Sequence, residues 1–370
     1  MVKKGSRENQ LDIQLIELIP SSGQPLNITY LMVELSIVES IDNFFISGSL
    51  SIRDENNLRE DLPFIGDEYI RIIWASYPGS DTRNHLFRVE GIASIDYELE
   101  QVSEALSIRF VHNDYIKLID NSKTVFYENK NNNFIINDLH KTSGMDLSIN
   151  SSSSSENISI SKIETSWMEF IDKLRFRTST PFTFFQRNNE IWFKSWEDLW
   201  SQSEVLNLET KIYSNNLTND NRILVDNISK SDVINVPDII FDDLNGNKYQ
   251  EFDYYNKTFN INDLDRTGIY SKKQKNRISV NKNFPMTDKN SKFIEDYILM
   301  DSLTLTLPYG DTDVLVGSKV NINFLKDRDI KDPDIYSGNW IIYEVTSVMD
   351  AYLNYTQDLV LVRPQLFTEI

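Results

Sequence analysis

The chain contains no cysteine. That absence excludes disulfide scaffolds, thiolate metal sites and thiol nucleophiles together, and it leaves the redox compartment unreadable. Histidine is nearly as scarce. The three present, His85, His112 and His140, are isolated from one another, without the H-E-x-x-H spacing of a zinc protease. No G-x-S-x-G, P-loop or Rossmann glycine pattern occurs. No run reaches the roughly eighteen apolar residues of a membrane span, and the opening MVKKGSRENQLDIQLIELIP lacks the unbroken apolar stretch of a signal peptide. The sequence therefore reads as a soluble, non-exported protein. Basic residues are outnumbered 37 to 56, for a net charge of −19. Duplex binding draws its affinity from Lys and Arg releasing phosphate counterions, so this balance argues against tight nucleic-acid binding. It fits either plain solubility or a surface that nucleic acid must pass without sticking.

What is present is material for cores. Apolar residues make up 40% of the chain and aromatic residues 12%, too many for disorder despite the abundance of Asn and Ser. At 370 residues, two or three cores are expected rather than one. From residue 10 to 112 the pattern is strand after strand: LDIQLIELI, ITYLMVELSIVES, FISGSLSIRD, LPFIGDEYIRIIWA, HLFRVEGIASIDYELE and EALSIRFVH, with SYPGSDTRN as a polar turn. This spacing predicts an antiparallel barrel or sandwich.

Between 113 and 205 the texture changes. NFIINDLHKTSG predicts a short helix stopped by Gly144, and the serine run within SINSSSSSENISIS reads as a flexible loop. In TSWMEFIDKLRFRTSTPF, Ser166 can cap a helix with Glu169 as its capping-box partner, and Trp167, Phe170, Ile171 and Leu174 fall on one helical face. FTFFQRNNEIWFKSW reads as a hairpin turning at Asn188-Asn189. Short strand-like runs resume over 206–235. Residues 236–300 are polar, with a basic cluster SKKQKNR (271–277), and read as an insertion or arm. Strands return from 301 to 370. The expected organisation is a first β-barrel domain (1–112), an α+β domain (113–205), a second β-barrel domain (206–235 and 301–370) and a polar insertion (236–300). The fold class is mainly β, α+β overall.

One outline occurs twice. LPFIGDEYIRIIW (62–74) is matched by VLVGSKVNINFL (314–325). From Gly66 to Phe87 is 21 residues and from Gly317 to Trp340 is 23; the corresponding distances to Arg109 and Arg363 are 43 and 46. Three elements in the same order at nearly the same spacing imply two related β domains in one chain. Glycine ahead of the strand suits a turn or bulge needing positive φ. A trimer of such chains would present six similar units around an axis and could join a six-fold ring to a three-fold partner.

The stretches SGSLSIRDENNLREDLPFIGDEYIRI (47–72), TSWMEFIDKLRFRTSTPFTFFQRNNEIWFKSWEDL (165–199) and GNWIIYEVTSVMDAYLNYTQDLVLVRP (338–364) carry a resemblance to the central baseplate hub proteins of contractile-tailed phages, and more distantly to the hub part of type VI secretion spikes. The order of domains covers most of the chain; 236–300 lies outside the match. The resemblance implies a homotrimer with two tube-type barrels per subunit, forming a pseudo-hexameric ring. Such a ring would join the tail tube or its initiator to the central spike, with other baseplate proteins as further neighbours. It would reside in the virion after synthesis in the host cytoplasm, and DNA would pass through it without specific binding. It implies no catalysis, cofactor or metal, and carries across no active-site residue.

One local pattern suits a channel. In SIDYELEQ, Asp96, Glu98 and Glu100 alternate with Ile95, Tyr97 and Leu99, so a strand would put three carboxylates on one face. That face is either ordinary solvated surface or a lumen wall that repels phosphates. Two functions of other classes stay open: a cell-wall hydrolase, whose paired carboxylates are defined only in space, and a carbohydrate-binding tail protein using Trp192, Trp196 and Trp200. DDLNGNKYQEFD (242–253) has its glycine at the wrong offset for an EF-hand.

Overall fold

A computed structural model describes residues 11–54, 66–78, 80–98, 103–119, 122–152, 154, 156–178, 180–203, 206–210, 222–225, 227–229, 248–253, 258–263, 277–279, 301–323, 325–327, 330–333 and 337–363. It is mainly β with a helical insertion, as the sequence predicts.

The alternation of LDIQLIELI builds β1 (Asp12–Ile19), with Ile16 and Leu18 buried and Gln14 exposed. It is followed by β2 (Leu26–Asn27), one 3-10 turn (Thr29–Leu31), β3 (Met32–Ser40), β4 (Ser47–Asp54), β5 (Tyr69–Ala75), β6 (Thr82–Glu98) and β7 (Ser103–His112). Their in-phase residues, among them Leu35, Leu50, Ile70, Ile72, Trp74, Phe87, Leu106, Ile108 and Phe110, form one buried cluster. Each such side chain contributes about 1.5–3 kcal/mol by leaving water.

The insertion holds α1 (Asp114–Ile119), β8 (Val125–Asn131), α2 (Asn132–Ser143), β9 (Ser148–Ser151), β10 (Asn157–Lys162), α3 (Trp167–Arg175), β11 (Phe182–Arg187), β12 (Glu190–Ser195) and α4 (Trp196–Ser201). Asn131 caps α2 and Gly144 ends it at φ 72°. Ser166 caps α3 through the Glu169 amide, and Trp167, Phe170, Ile171 and Leu174 are all buried, as expected. A full capping box occurs one helix later, between Ser195 and Asp198. The hairpin turns at Asn188-Asn189, Arg187 facing Glu190.

Of the serine run (151–155), only Ser151 lies in a strand; Ser152 and Ser154 are outside regular structure, and Ser153 and Ser155 lie outside the described residues. Ser148–Ser151 is a strand lying parallel to β12, the Ser152 amide donates to the Phe193 carbonyl at 2.9 Å, and the Ser154 amide donates to the buried Asn132 side chain. An open strand edge supplies the hydrogen bonds that composition alone does not anticipate.

The chain then forms β13 (Leu206–Thr210), β14 (Arg222–Val225), β15 (Asn227–Ser229), β16 (Lys248–Asp253), β17 (Thr258–Asp263), β18 (Arg277–Ser279), β19 (Asp301–Leu307), β20 (Lys319–Asn323), β21 (Leu325–Asp327), β22 (Ile330–Pro333), β23 (Gly338–Asp350) and β24 (Tyr355–Arg363). Strands β16, β17 and β18 pair into a small sheet of their own, so the described part of the polar insertion is ordered by backbone pairing. Of the SKKQKNR cluster only Arg277 is described, at the start of β18; Gly246 lies outside the described residues. A second buried cluster of β residues gathers Leu303, Leu305, Leu307, Val320, Ile322, Trp340, Ile342, Val345, Leu359 and Leu361.

The repeated outline reappears as hydrogen bonding. The path β4-β7-β6-β5 has the same antiparallel ladder order as β19-β24-β23-β20. Ile70 faces Phe87 as Val320 faces Trp340. Two residues beyond each aromatic the long strand is bulged, at Val89/Gly91 and at Ile342/Glu344. The Val89 amide donates to the Glu68 carbonyl and the Ile342 amide to the Ser318 carbonyl, both at 2.9 Å.

The ladders correct two details of the sequence alignment. Arg109 faces Gly91 while Val360 faces Glu344, so Arg109 corresponds to Val360 and not to Arg363. Gly66 lies four residues before Ile70 and Gly317 three before Val320, so the glycines are one position out of step, although both have positive φ. A third departure concerns direction: β1 runs antiparallel to β5, but β13 runs parallel to β20 and to β14. Alternation fixes which face a strand buries and says nothing about its polarity, so this was not readable in the sequence.

Candidate functional site in the joined sheet

The two β regions are not separate sheets. Strand β3 pairs with β4 on one side and with β23 on the other, from Glu34 opposite Asp350 to Ser40 opposite Glu344, so the hydrogen bonding runs unbroken across both.

A buried ion pair lies behind this joint. Glu39 of β3 and Arg83 of β6 are in direct contact, almost wholly removed from solvent. Arg83 also donates to the carbonyls of Thr312 (3.2 and 2.7 Å) and Val314 (3.0 Å). The Ser76 and Thr312 hydroxyls meet at 2.8 Å, and the Thr312 amide donates to Ser76 at 2.6 Å. One guanidinium thus ties β6 and β3 to the segment ahead of β20. Burial, the largest influence, works against its charge, but the carboxylate of Glu39 together with Tyr355 and Asp311 outweighs it and holds Arg83 above its ordinary range. Beside it, His85 is buried between Trp74 (5.5 Å) and Phe87 (5.7 Å), and neither ring nitrogen has a partner. Burial first, then the charge of Arg83, lowers it to about 3.

The sequence reading did not single out Glu39, Arg83 or Thr312. A signal existed for Glu39: it falls in phase with the buried Leu35 and Ile37, where an acid is out of place. None existed for Arg83, in a polar turn sequence.

The other face of the joined sheet is mostly polar, with small side chains beside the exposed Arg109 and two valines. Thr356, Val348, Ser36, Ser49, Arg109 and Gly91 lie in one row across five ladders, and Thr306, Asp358, Thr346, Val38 and Ser47 in another. Thr306 donates to Asp358 at 2.6 Å. Of the three predicted carboxylates, Asp96 and Glu98 lie in β6 opposite Ala105 and Ser103. Glu100 lies outside the described residues.

The tryptophans proposed for carbohydrate have structural neighbours instead. Trp196 is buried with Phe185, Val316 and Ile341, joining the α+β insertion to the second β cluster, and Trp192 and Trp200 pack against the same group. Arg187 lies over Trp192 at 3.9 Å and Lys319 over Trp200 at 5.4 Å. The three histidines form no common cluster: His112 lies near enough to act on His85 but accepts from the Asp114 amide at 3.3 Å, and His140 meets the Leu147 carbonyl at 2.8 Å. Among the described residues, no group of three or more His, Asp or Glu is placed to hold a metal ion.

This arrangement of sheets recurs in solved structures. The 43 kDa tail protein of prophage MuSo2 from Shewanella oneidensis superposes with a TM-score of 0.59 at 12% identity, over 95% of this chain and 98% of that one. The chain has the fold of phage tail proteins. A tail protein from Neisseria meningitidis MC58 gives a TM-score of 0.58 at 8% identity, over 96% of both chains. An Escherichia coli type VI secretion component, described as similar in structure to the T4 tail proteins gp27 and gp5, gives 0.54 at 9% identity, over 96% of this chain and 76% of that one. No protein-family model and no curated protein matches the chain. No helix among the described residues is long and apolar enough to cross a membrane.

Proposed function

We propose that this protein is a structural hub of a contractile-tail baseplate. It is a homotrimer whose two β units per chain form a pseudo-hexameric ring, joining the hexameric tail tube to the trimeric central spike around the DNA channel. The units are 1–112 and 206–235 with 301–370; 113–205 braces them, and 236–300 reaches toward another baseplate protein. The observation that carries this reading is the ladder-for-ladder correspondence of the two β units. A chain with two like units is what a three-fold assembly needs to match a six-fold one. The fold shared with tail proteins, and with a secretion component likened to gp27 and gp5, supports the setting. The net charge of −19 and the polar outer face suit a wall that DNA slides past.

In this role the protein performs no catalysis and carries no cofactor. Its partners are its own copies, the tube or tube initiator, and the spike. The test is mass by light scattering with images of the same peak. A particle of about three chain masses with an open centre is expected. A compact monomer, both alone and co-expressed with the spike, would refute the ring. Clearing of peptidoglycan by the purified chain would instead return the hydrolase reading.

A further inference from the structure

The joint inside the chain is a template for a joint between chains. On β23 one edge is shared by two strands: β20 takes Gly338–Ile341 and β3 takes Glu344–Asp350, while β24 occupies the opposite edge. The corresponding strand, β6, has β5 along Thr82–Arg88 and β7 along the opposite edge. Past Val89, whose amide still reaches the Glu68 carbonyl, nothing among the described residues pairs with the edge that continues from β5. The position that β3 fills on β23 is open on β6.

The strand to fill it follows from the same correspondence. Strand β3 pairs with β4 as β15 pairs with β19, both antiparallel. Leu35 faces Leu50 and Ile228 faces Leu305; Leu50 leads through Ile108 to Ile92, and Leu305 through Leu359 to Val345. Strand β15 is therefore the counterpart of β3, and among the described residues its second edge is also unpaired. Within one chain the two open edges do not meet.

We propose that β15 of one copy adds to the open edge of β6 in a second copy, antiparallel, repeating in trans the β3–β23 joint. The joint rests on the ring reading above and gives it a register. Glu34, Leu35 and Ser36 face Asp350, Met349 and Val348 in the chain. Transferred, Asn227 faces Glu98, Ile228 faces Tyr97 and Ser229 faces Asp96. The chemistry fits: the receiving edge carries two acids and β15 none, so no like charges are opposed. In a chain of net charge −19 the acids also discourage pairing with wrong, acidic strands. The contact is heterologous, so it must close into a ring or run on as a filament.

The absence of cysteine makes a cross-linking test clean. Directly opposed antiparallel residues have Cα atoms about 4.5–5.5 Å apart, within the roughly 4.4–6.8 Å that a disulfide spans. Chains carrying Asp96→Cys and chains carrying Ser229→Cys are mixed and oxidised, with Asn227→Cys and Glu98→Cys as a second in-register pair. Tyr97→Cys with Ser229→Cys is the out-of-phase control, and Ser36→Cys with Val348→Cys in one chain is the intramolecular control that reports folding. The expected result is covalent dimer from both in-register mixtures, at least ten-fold above the out-of-phase control. A ring by light scattering without this excess overturns the joint and leaves the ring reading standing. A monomer at every concentration, both alone and co-expressed with the spike, overturns both.

Discussion

Replacing Arg83 by Met removes the cation in direct contact with Glu39, leaving only the more distant charge of Arg187, while keeping an unbranched side chain of similar length. It strands the Glu39 carboxylate, whose second oxygen already has no partner, in a site almost closed to water. Breaking a buried pair in this way costs about 3–5 kcal/mol. The Thr312 and Val314 carbonyls also lose their donor, adding about 1–3 kcal/mol. The double variant Arg83→Met with Glu39→Met removes the stranded charge and leaves only the carbonyl part, so it should be more stable than the single variant by about 2 kcal/mol or more. Because the chain holds several cores, a global melt is a blunt readout. Hydrogen exchange is read instead over 82–88 and 312–316, together with Trp74 fluorescence, since Arg83 lies 5.9 Å from that ring. A loss under about 1 kcal/mol in the single variant, or a double variant less stable than the single, would refute the argument that this pair holds the joint.

His85 should make the fold acid-sensitive. Its folded value is about 3 against an ordinary 6.5, so below 6.5 the unfolded chain binds the proton first; stability is level above that pH and falls by up to about 1.4 kcal/mol per unit down to about 3. His85→Phe, filling the space between Trp74 and Phe87, should flatten that slope in urea melts at pH 4, 5 and 7; an unchanged slope assigns the sensitivity elsewhere. Gly317→Ala should cost more than Gly66→Ala, because its Cβ would meet the Phe185 ring at 2.5 Å whereas at Gly66 none of the described residues lies within 4 Å. Both have positive φ and lose about 1 kcal/mol for it, and equal melting shifts would contradict the packing difference. Changing Asp96, Glu98 and Glu100 to Lys should slow DNA ejection, as timed by dye release; because Asp96 and Glu98 also lie on the proposed edge between copies, the timing is read only on tails that have assembled, and unchanged kinetics there would remove these carboxylates from the channel wall.

Much of the local structure was legible from residues near one another in the chain. The apolar face of α3, its Ser166 cap, the glycine that ends α2 and the β11–β12 turn each depend on contacts within a few positions, where spacing maps directly onto geometry. The repeat was visible for the same reason, as order and spacing of strands, but its alignment slipped by three positions at Arg363. A strand pattern with period two matches itself at many offsets, and only the bulges at Gly91 and Glu344 fix the phase. The strand Ser148–Ser151 just ahead of the serine run went unread because its partner is β12, some forty residues away.

The sequence by itself determined that the protein is mainly β, where most strands and helices begin and end, which faces they bury, and that one arrangement is built twice. The tertiary structure decided which strands become neighbours: the β3–β23 joint, the reversed direction of β13, and the meeting of Glu39, Arg83 and Thr312. The division has one physical cause. Periodicity encodes how a segment sits against a core, whereas partner, polarity and register are chosen by packing among segments hundreds of residues apart, and no local pattern records that choice.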